Sequence, residues 1–226
     1  MLYKETVTKE MWELLQKLMK DEKLKDFSLV GGTALSLMIG HRLSIDIDLF
    51  TIRDFDELAM LTHLKDQHPV KIREILDNTM LLDIGVVKVD IIAHRYPWQE
   101  PIRTEEGVRL ASLHDIGAMK LHAIFQNGTR IKDFVDMYFL LEHHSLKTYL
   151  ETYQNKYNGN PRLAALALMD QRNIDKEEKV KLLKGKETNW KKITQRLKKA
   201  VLNPSILFSE SKNQIPPRNK GRGFRH

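Results

Sequence analysis

Within Leu43–Thr51, LSIDIDLFT, two carboxylates stand one residue apart among β-branched and large apolar side chains. Such a run folds as a strand, and strand side chains alternate between faces. Asp46 and Asp48 therefore project to one side with Cα atoms about 6.6 Å apart, while Ile45, Ile47 and Leu49 form the opposite, core-facing side. Like charges this close repel one another. A chain tolerates them when a cation lies between them, and carboxylate oxygens together with substrate phosphates are the usual setting for Mg²⁺. Asp-x-Asp also occurs as plain structure, so the doublet alone does not decide.

The residues just upstream add a second half to the pattern. Leu29-Val30 runs into Gly31-Gly32-Thr33 and then the apolar ALSLMI, which reads as strand, turn and helix. Backbone amides at a helix start can face an anion such as a triphosphate, although Gly-Gly is also an ordinary strand-to-helix connection. Arg42 and Ser44 precede the carboxylates closely enough to reach phosphate oxygens. An ion pair inside the fold is the other reading of Arg42.

Along the chain, Thr8 caps an amphipathic helix over 8–20, with Val7 and Trp12 as a hydrophobic staple. Phe27–Val30 reads as the first strand. Asp54 or Asp56 caps a helix carrying Phe55, Leu58, Leu61 and Leu64, and strand-like runs follow at Val70–Asp77, Thr79–Ile84 and Val86–His94. Asp90 sits inside the last of these, an expensive place for a carboxylate unless a metal, a cation or hydrogen bonds satisfy it. An Asp on an edge strand, facing water with Lys88 beside it, is the alternative. His94, Tyr96, Pro97 and Trp98 leave the sheet as an aromatic loop that either stacks a base or seals a boundary. Glu105-Glu106-Gly107 reads as a turn.

From Ser112 on the periodicity is helical. Ser112 or Asp115 caps one helix, Asn127-Gly128 ends it, and Arg130–His143 forms the next, with Arg130 able to pair with Asp133 or Asp136 on one face. Leu146–Tyr157 and Pro161–Asp170 read as two more helices. A lysine-rich stretch, DKEEKVKLLKGKE, follows, and then a last amphipathic helix with Lys191, Lys192, Arg196, Lys198 and Lys199 on its polar side.

The motifs in this order resemble the polymerase-beta-type nucleotidyltransferase superfamily. More narrowly, GGTALSL, GHRLSIDIDLF and the later KLHAI and RIKDFVDMYFLL are similar to the AbiEii/AbiGii group of nucleotidyltransferase toxins, over about residues 27–142. The resemblance implies an α+β or α/β architecture. A small mixed sheet with flanking helices, the nucleotidyltransferase domain, spans 1–110, an all-helical domain spans 111–205 and closes a cleft, and a basic, flexible tail spans 206–226. It implies that Asp90 completes a metal cage with Asp46 and Asp48, that Lys120 points at the nucleotide phosphates, and that Asp133 is the essential late acid, leaving Asp136 to bind Arg130 or a backbone amide. Gly31, Gly32 and Thr33 then grip the triphosphate, helped by Arg42 and Ser44.

The implied reaction moves a nucleoside monophosphate from an NTP to an acceptor hydroxyl, with Mg²⁺ or Mn²⁺ as cofactor. RNA, at the tRNA 3′ end, is the implied acceptor, within a toxin–antitoxin or phage-defence system that supplies an antitoxin partner. A small-molecule or protein hydroxyl as acceptor, or a silent member that only binds nucleic acid or protein, remains open at this level.

Composition bounds the rest. The 226 residues include no cysteine, which excludes disulfides and thiolate metal sites and fits a reducing cytoplasm. No apolar run approaches the roughly 20 residues that cross a bilayer, so a soluble protein is expected. Of the 37 Lys and Arg residues behind the formal charge of +7, five lie in the acid-free run Ser211–His226, so most of the excess is a tail that either holds RNA phosphates or simply keeps the end solvated.

Overall fold

The computed structural model describes residues 1–175 and 177–208; the basic run from Ser211 to His226 lies outside the described residues. After one 3-10 turn at Lys4–Thr6 comes α1 (Lys9–Lys20), whose Thr8 cap accepts from the Met11 amide and whose Met11, Leu14, Leu15, Leu18 and Met19 stripe is buried. β1 (Ser28–Leu29) ends at the glycines. α2 (Gly31–Ile39) closes on Gly40, whose φ of 62° is left-handed backbone suited to glycine. β2 (Asp46–Thr51) follows, then α3 (Glu57–Gln67), capped by Asp56 rather than Asp54. β3 (Val70–Leu76), β4 (Thr79–Ile84) and β5 (Val87–Ala93) are joined by tight turns at Asn78 and Gly85, both with positive φ.

The stretch read as a plain turn at Glu105-Glu106-Gly107 is a hairpin between β6 (Arg103–Glu105) and β7 (Val108–Leu110). Three-residue strands carry too little alternation to be read from sequence, and here long-range pairing makes them: Leu110 lies parallel to Leu29 of β1. The result is one seven-stranded mixed sheet in the order β3-β4-β5-β2-β1-β7-β6. β5 is therefore an interior strand, between β4 and β2, and not an edge.

Alternation separates the two faces cleanly. Ile47, Leu49, Leu82, Val89 and Ile91 are almost wholly buried, while Asp46, Asp48, Phe50, Lys88 and Asp90 occupy the other face. Ile45, expected in the core, is 61 % exposed because it precedes the paired strand and escapes its alternation.

The helices begin two residues beyond the last strand: α4 (Leu113–Gln126), α5 (Ile131–Leu140), α6 (Leu146–Tyr157), α7 (Pro161–Ala167) and α8 (Trp190–Leu202). One apolar core runs from α1 through the sheet into these helices. Two buried links reinforce it. Lys156 of α6 binds Asp115 of α4 at 2.9 Å and the Pro97 carbonyl at 2.9 Å, and the Gln99 and Glu100 amides donate to the same Asp115. The Trp98 ring lies 4.6 Å from the Lys156 ammonium, so this half of the aromatic loop seals the boundary between sheet and helices.

Arg196 does not belong to the solvated basic face of α8. It stacks 3.7 Å from the Tyr138 ring centre and pairs with Glu142 at 2.6 Å, because the apolar stripe of α8 turns that flank toward α5. The start of the expected tail is docked as well: the Phe208 amide donates to the Leu141 carbonyl.

Candidate active site

The glycine turn and the acidic strand meet through backbone first. The Val30 amide donates to the Asp48 carbonyl at 3.0 Å, which aligns the start of α2 with the middle of β2. Gly31 has φ +67°, and a side chain there would collide with the Asp48 carboxylate, so both the turn and the close approach require glycine. A Cβ on Gly32 would meet the Arg42 guanidinium. No side chain caps α2, whose N-cap is Val30, so the first amides of the helix keep their donors for a ligand beside Asp48.

The Thr33 side chain does not face that ligand site. Its hydroxyl is buried, bonded to the Asp46 carbonyl and 2.8 Å from the Ser44 hydroxyl. Expected to grip phosphate, Thr33 instead fixes the strand to the helix. A short polar side chain on the first turn of a helix turns inward when a neighbouring carbonyl needs a donor. Ser44 shares this bond and also lines the cavity in front of Asp46.

Asp46, Asp48 and Asp90 share the open face of the sheet, and Asp48 and Asp90 are register partners on parallel strands. Burial first, and then Asp90, push the Asp48 carboxyl up to about 6. One Asp46 carboxylate oxygen is buried without a hydrogen-bond partner, and among the described residues no donor bonds the Asp48 carboxylate. Orphaned carboxylate oxygens of this kind suit a hard divalent cation. Asp90 differs: Arg73 holds it. Arg73 is the extra residue of a bulge in β3, between the Ile72–Leu82 and Glu74–Leu81 pairs, and from there it reaches across β4 to Asp90 while also lying 3.2 Å from Asp83. Among the described residues no three acidic or histidine side chains converge on one point, so Asp46 and Asp48 supply the uncommitted oxygens and Asp90 is paired.

Behind the site lies a buried charge cluster centred on Asp136. Its carboxylate takes Arg42 Nε at 2.7 Å, Arg42 Nη2 at 3.0 Å, His41 Nε2 at 2.8 Å and Lys120 Nζ at 2.7 Å. Lys120 also binds Asp133 at 2.6 Å. Asp136 therefore does not pair with Arg130; three partners from α2's end and α4 reach it first. Burial would raise its pKa, but Arg42 and Lys120 outweigh burial and hold it well below the carboxylate range. Burial would likewise depress Lys120, yet Asp133 and Asp136 keep it charged. His41 is pushed down by its burial and donates as a neutral ring. Arg42 spends its third hydrogen bond on the Leu43 carbonyl, so its main role is the ion pair inside the fold.

Two cavities flank this arrangement, and both are lined by Gly32, Asp48 and Arg130. The larger, about 360 Å³, is cationic, with Lys132, Lys179 and Lys181 beside Arg42, Ser44 and Asp46. Local pattern assigns no role to the lysine-rich stretch. In the fold it crosses back over the residues ahead of the acidic strand: the Leu43 amide donates to the Lys181 carbonyl at 2.8 Å and the Leu183 amide to the His41 carbonyl at 3.1 Å. The alternation of Val180 and Leu182 between lysines is the one signal of this that the sequence carries. The smaller cavity, about 220 Å³, is lined by Phe50, His94, His122 and Tyr157 as well as Lys120 and Asp133.

Comparison with known proteins gives the family and the fold. The family described as "Nucleotidyl transferase AbiEii toxin, Type IV TA system" matches residues 13–208. An uncharacterized protein, aq_aa25, from Aquifex aeolicus (strain VF5) is 34 % identical over 157 residues, covering 67 % of this chain and 76 % of that one. Among solved structures, a putative nucleotidyltransferase from H. pylori superposes with a TM-score of 0.52 at 19 % identity, over 85 % of this chain and 90 % of that one. JHP933 from Helicobacter pylori superposes with a TM-score of 0.50 at 18 % identity, over 85 % and 87 %. At those identities the two structures speak to the fold.

Proposed function

The chain belongs to the AbiEii nucleotidyltransferase toxin family of type IV toxin–antitoxin systems, and from that premise we propose that it transfers a nucleoside monophosphate from an NTP to a hydroxyl at the 3′ end of tRNA, releasing pyrophosphate. The observation that carries this reading is the Asp46–Asp48 doublet, open-faced and short of donors, packed against the uncapped amides of Gly31 and Gly32. A nucleotide triphosphate needs both halves, acceptors for a cation and donors for phosphate.

Asp46 and Asp48 would hold Mg²⁺ or Mn²⁺, joined by Asp90 once Arg73 lets go. When bound, the ion neutralises phosphate charge and makes the acceptor hydroxyl easier to deprotonate. The chain's own groups do the positioning. The Gly31 and Gly32 amides, between the two cavities, orient phosphate oxygens, and Arg130, Lys179 and Lys181 bring positive charge to that end of the cleft, while Lys132 is held by Glu178 at 2.8 Å. Lys120 and Asp133 line the adjoining cavity as a locked pair, so Lys120 contributes charge to the cleft while its ammonium stays fixed. The partners are a cognate antitoxin and RNA, and the setting is the cytoplasm; among the described residues no helix is long and apolar enough to cross a membrane.

The test is incubation of purified protein with each labelled NTP, Mg²⁺ and total RNA. Label in tRNA that is lost with Asp48→Ala supports the reading. Label in RNA that survives Asp48→Ala sinks the assigned chemistry, and label only in protein moves the acceptor to a protein hydroxyl.

A further inference from the structure

The smaller cavity differs from its neighbour in having an aromatic wall. Four rings from four elements meet at it: Phe50 on β2, His94 after β5, His122 on α4 and Tyr157 at the end of α6. They form a connected series across the cleft. Phe50 and His94 lie 5.4 Å apart between ring centres, His94 and Tyr157 5.6 Å, and His122 stacks on Tyr157 at 4.0 Å with 4° between planes. The Tyr157 hydroxyl and His94 Nε2 are 2.9 Å apart.

None of these rings carries charge at neutral pH. Burial drives His94 down to about 4 and lowers His122, and it raises the Tyr157 hydroxyl. The charged groups of this cavity are Lys120, paired with Asp133, and Asp48 and Arg130, which it shares with its neighbour; exposed Lys179 and Lys181 line only the neighbouring cavity. His122 Nδ1 is buried and has no hydrogen-bond partner among the described residues, which leaves a polar atom for a ligand at the aromatic wall. At about 220 Å³ the space is smaller than the ~300–1,000 Å³ of pockets that take whole drug-sized molecules, and suits one planar ring system.

We propose that the Phe50–His94–His122–Tyr157 cavity is a nucleobase-stacking subsite, so that phosphate is bound on the cationic side of Asp48 and a base on the aromatic side. The proposal rests on the nucleotidyltransferase reading for the identity of its ligand. The base has two sources, the NTP itself or the terminal nucleotide of the acceptor, and both offer the same flat heterocycle. Every base has a π-face, so such a wall binds with little dependence on base identity.

The experiment measures dissociation constants for four probes on wild-type protein and His122→Ala: tripolyphosphate, an NTP, an RNA oligonucleotide ending in CCA, and the same oligonucleotide with an abasic 3′ residue. Loss of one stacking ring is expected to weaken a base-bearing probe at least about fivefold. Weakening of the NTP with tripolyphosphate unchanged assigns the NTP base. Weakening of the CCA oligonucleotide with its abasic form unchanged assigns the acceptor base. His122→Phe, which keeps a ring, restores the affinity in either case. The proposal is overturned if no probe weakens, or if tripolyphosphate and the abasic oligonucleotide weaken as much as their base-bearing counterparts. Should His122→Ala fail to fold, Phe50→Leu carries the same comparison. Wild-type protein that binds bases here yet transfers no nucleotide would overturn the transferase reading alone.

Discussion

Asp48 and Asp90 stand directly across from one another, register partners on the adjacent parallel strands β2 and β5, and the carboxyl of Asp48 is pushed up to about 6 by burial and then by Asp90. An acid whose native pKa exceeds its unfolded value, 3.8 here, binds its proton more tightly when folded. Its contribution to stability is present below about pH 3.8 and is lost as pH rises through about 6. Asp48→Asn removes that loss. Without divalent ions it is expected to be more stable than wild type by about 1–3 kcal/mol at pH 8, with the difference gone near pH 4. Urea unfolding at both pH values checks this, and a less stable Asp48→Asn at pH 8 would contradict it. Nucleotide transfer is expected to be lost in the same variant.

Arg73 sets how available Asp90 is. The pair is partly exposed, so Arg73→Ala is expected to change stability by no more than about 1 kcal/mol. It also removes a positive charge beside the acids and frees an oxygen ligand, so Mn²⁺ affinity is expected to rise severalfold. Titration followed by paramagnetic signal loss reads it directly; unchanged or weaker Mn²⁺ binding would remove Asp90 from the metal ligands.

Asp136 and Asp133 sit one turn apart on α5 but carry different loads. Asp136→Ala leaves Arg42 and Lys120 buried with a shared carboxylate gone, a loss of about 3–5 kcal/mol. Asp133→Ala removes one hydrogen bond to Lys120, which keeps Asp136 as its partner, and is expected to be clearly milder in stability while still lowering transfer. Equal destabilisation by the two would show that the cluster has no centre at Asp136.

Lys179 and Lys181 are exposed and line the cationic cavity. The double variant Lys179→Gln/Lys181→Gln is expected to leave the melting temperature nearly unchanged and to weaken NTP binding. It should also flatten the salt dependence of RNA binding, by up to about one unit of slope for each phosphate that is no longer neutralised. A parallel shift of affinity with no change in slope would show that these lysines do not touch phosphate.

Local pattern revealed much of this site. Period-two alternation put Asp46 and Asp48 on one face, and the glycines before ALSLMI marked the start of α2, whereas Asp90 joined them only through the family resemblance and the parallel pairing of β2 with β5. What alternation could not reveal was partner choice. Arg130 lies on α5's side of Asp136 in sequence, yet Arg42, 94 residues away, holds that acid. Arg73 became the partner of Asp90 only because a bulge in β3 shifts its register by one residue, which no periodicity announces.

The chain itself therefore determined the acidic strand, the glycine turn and the helices that follow, because each is written in neighbours a few residues apart. Tertiary structure decided which charges are free. Lys120, Arg42 and Asp136 are buried together and satisfied by one another, Thr33 turns its hydroxyl inward, and the lysines of a stretch whose local pattern assigns no role are carried across to the cleft. A side chain's chemistry is set by whether burial finds it a partner, and partners far apart in sequence meet only when the chain has folded.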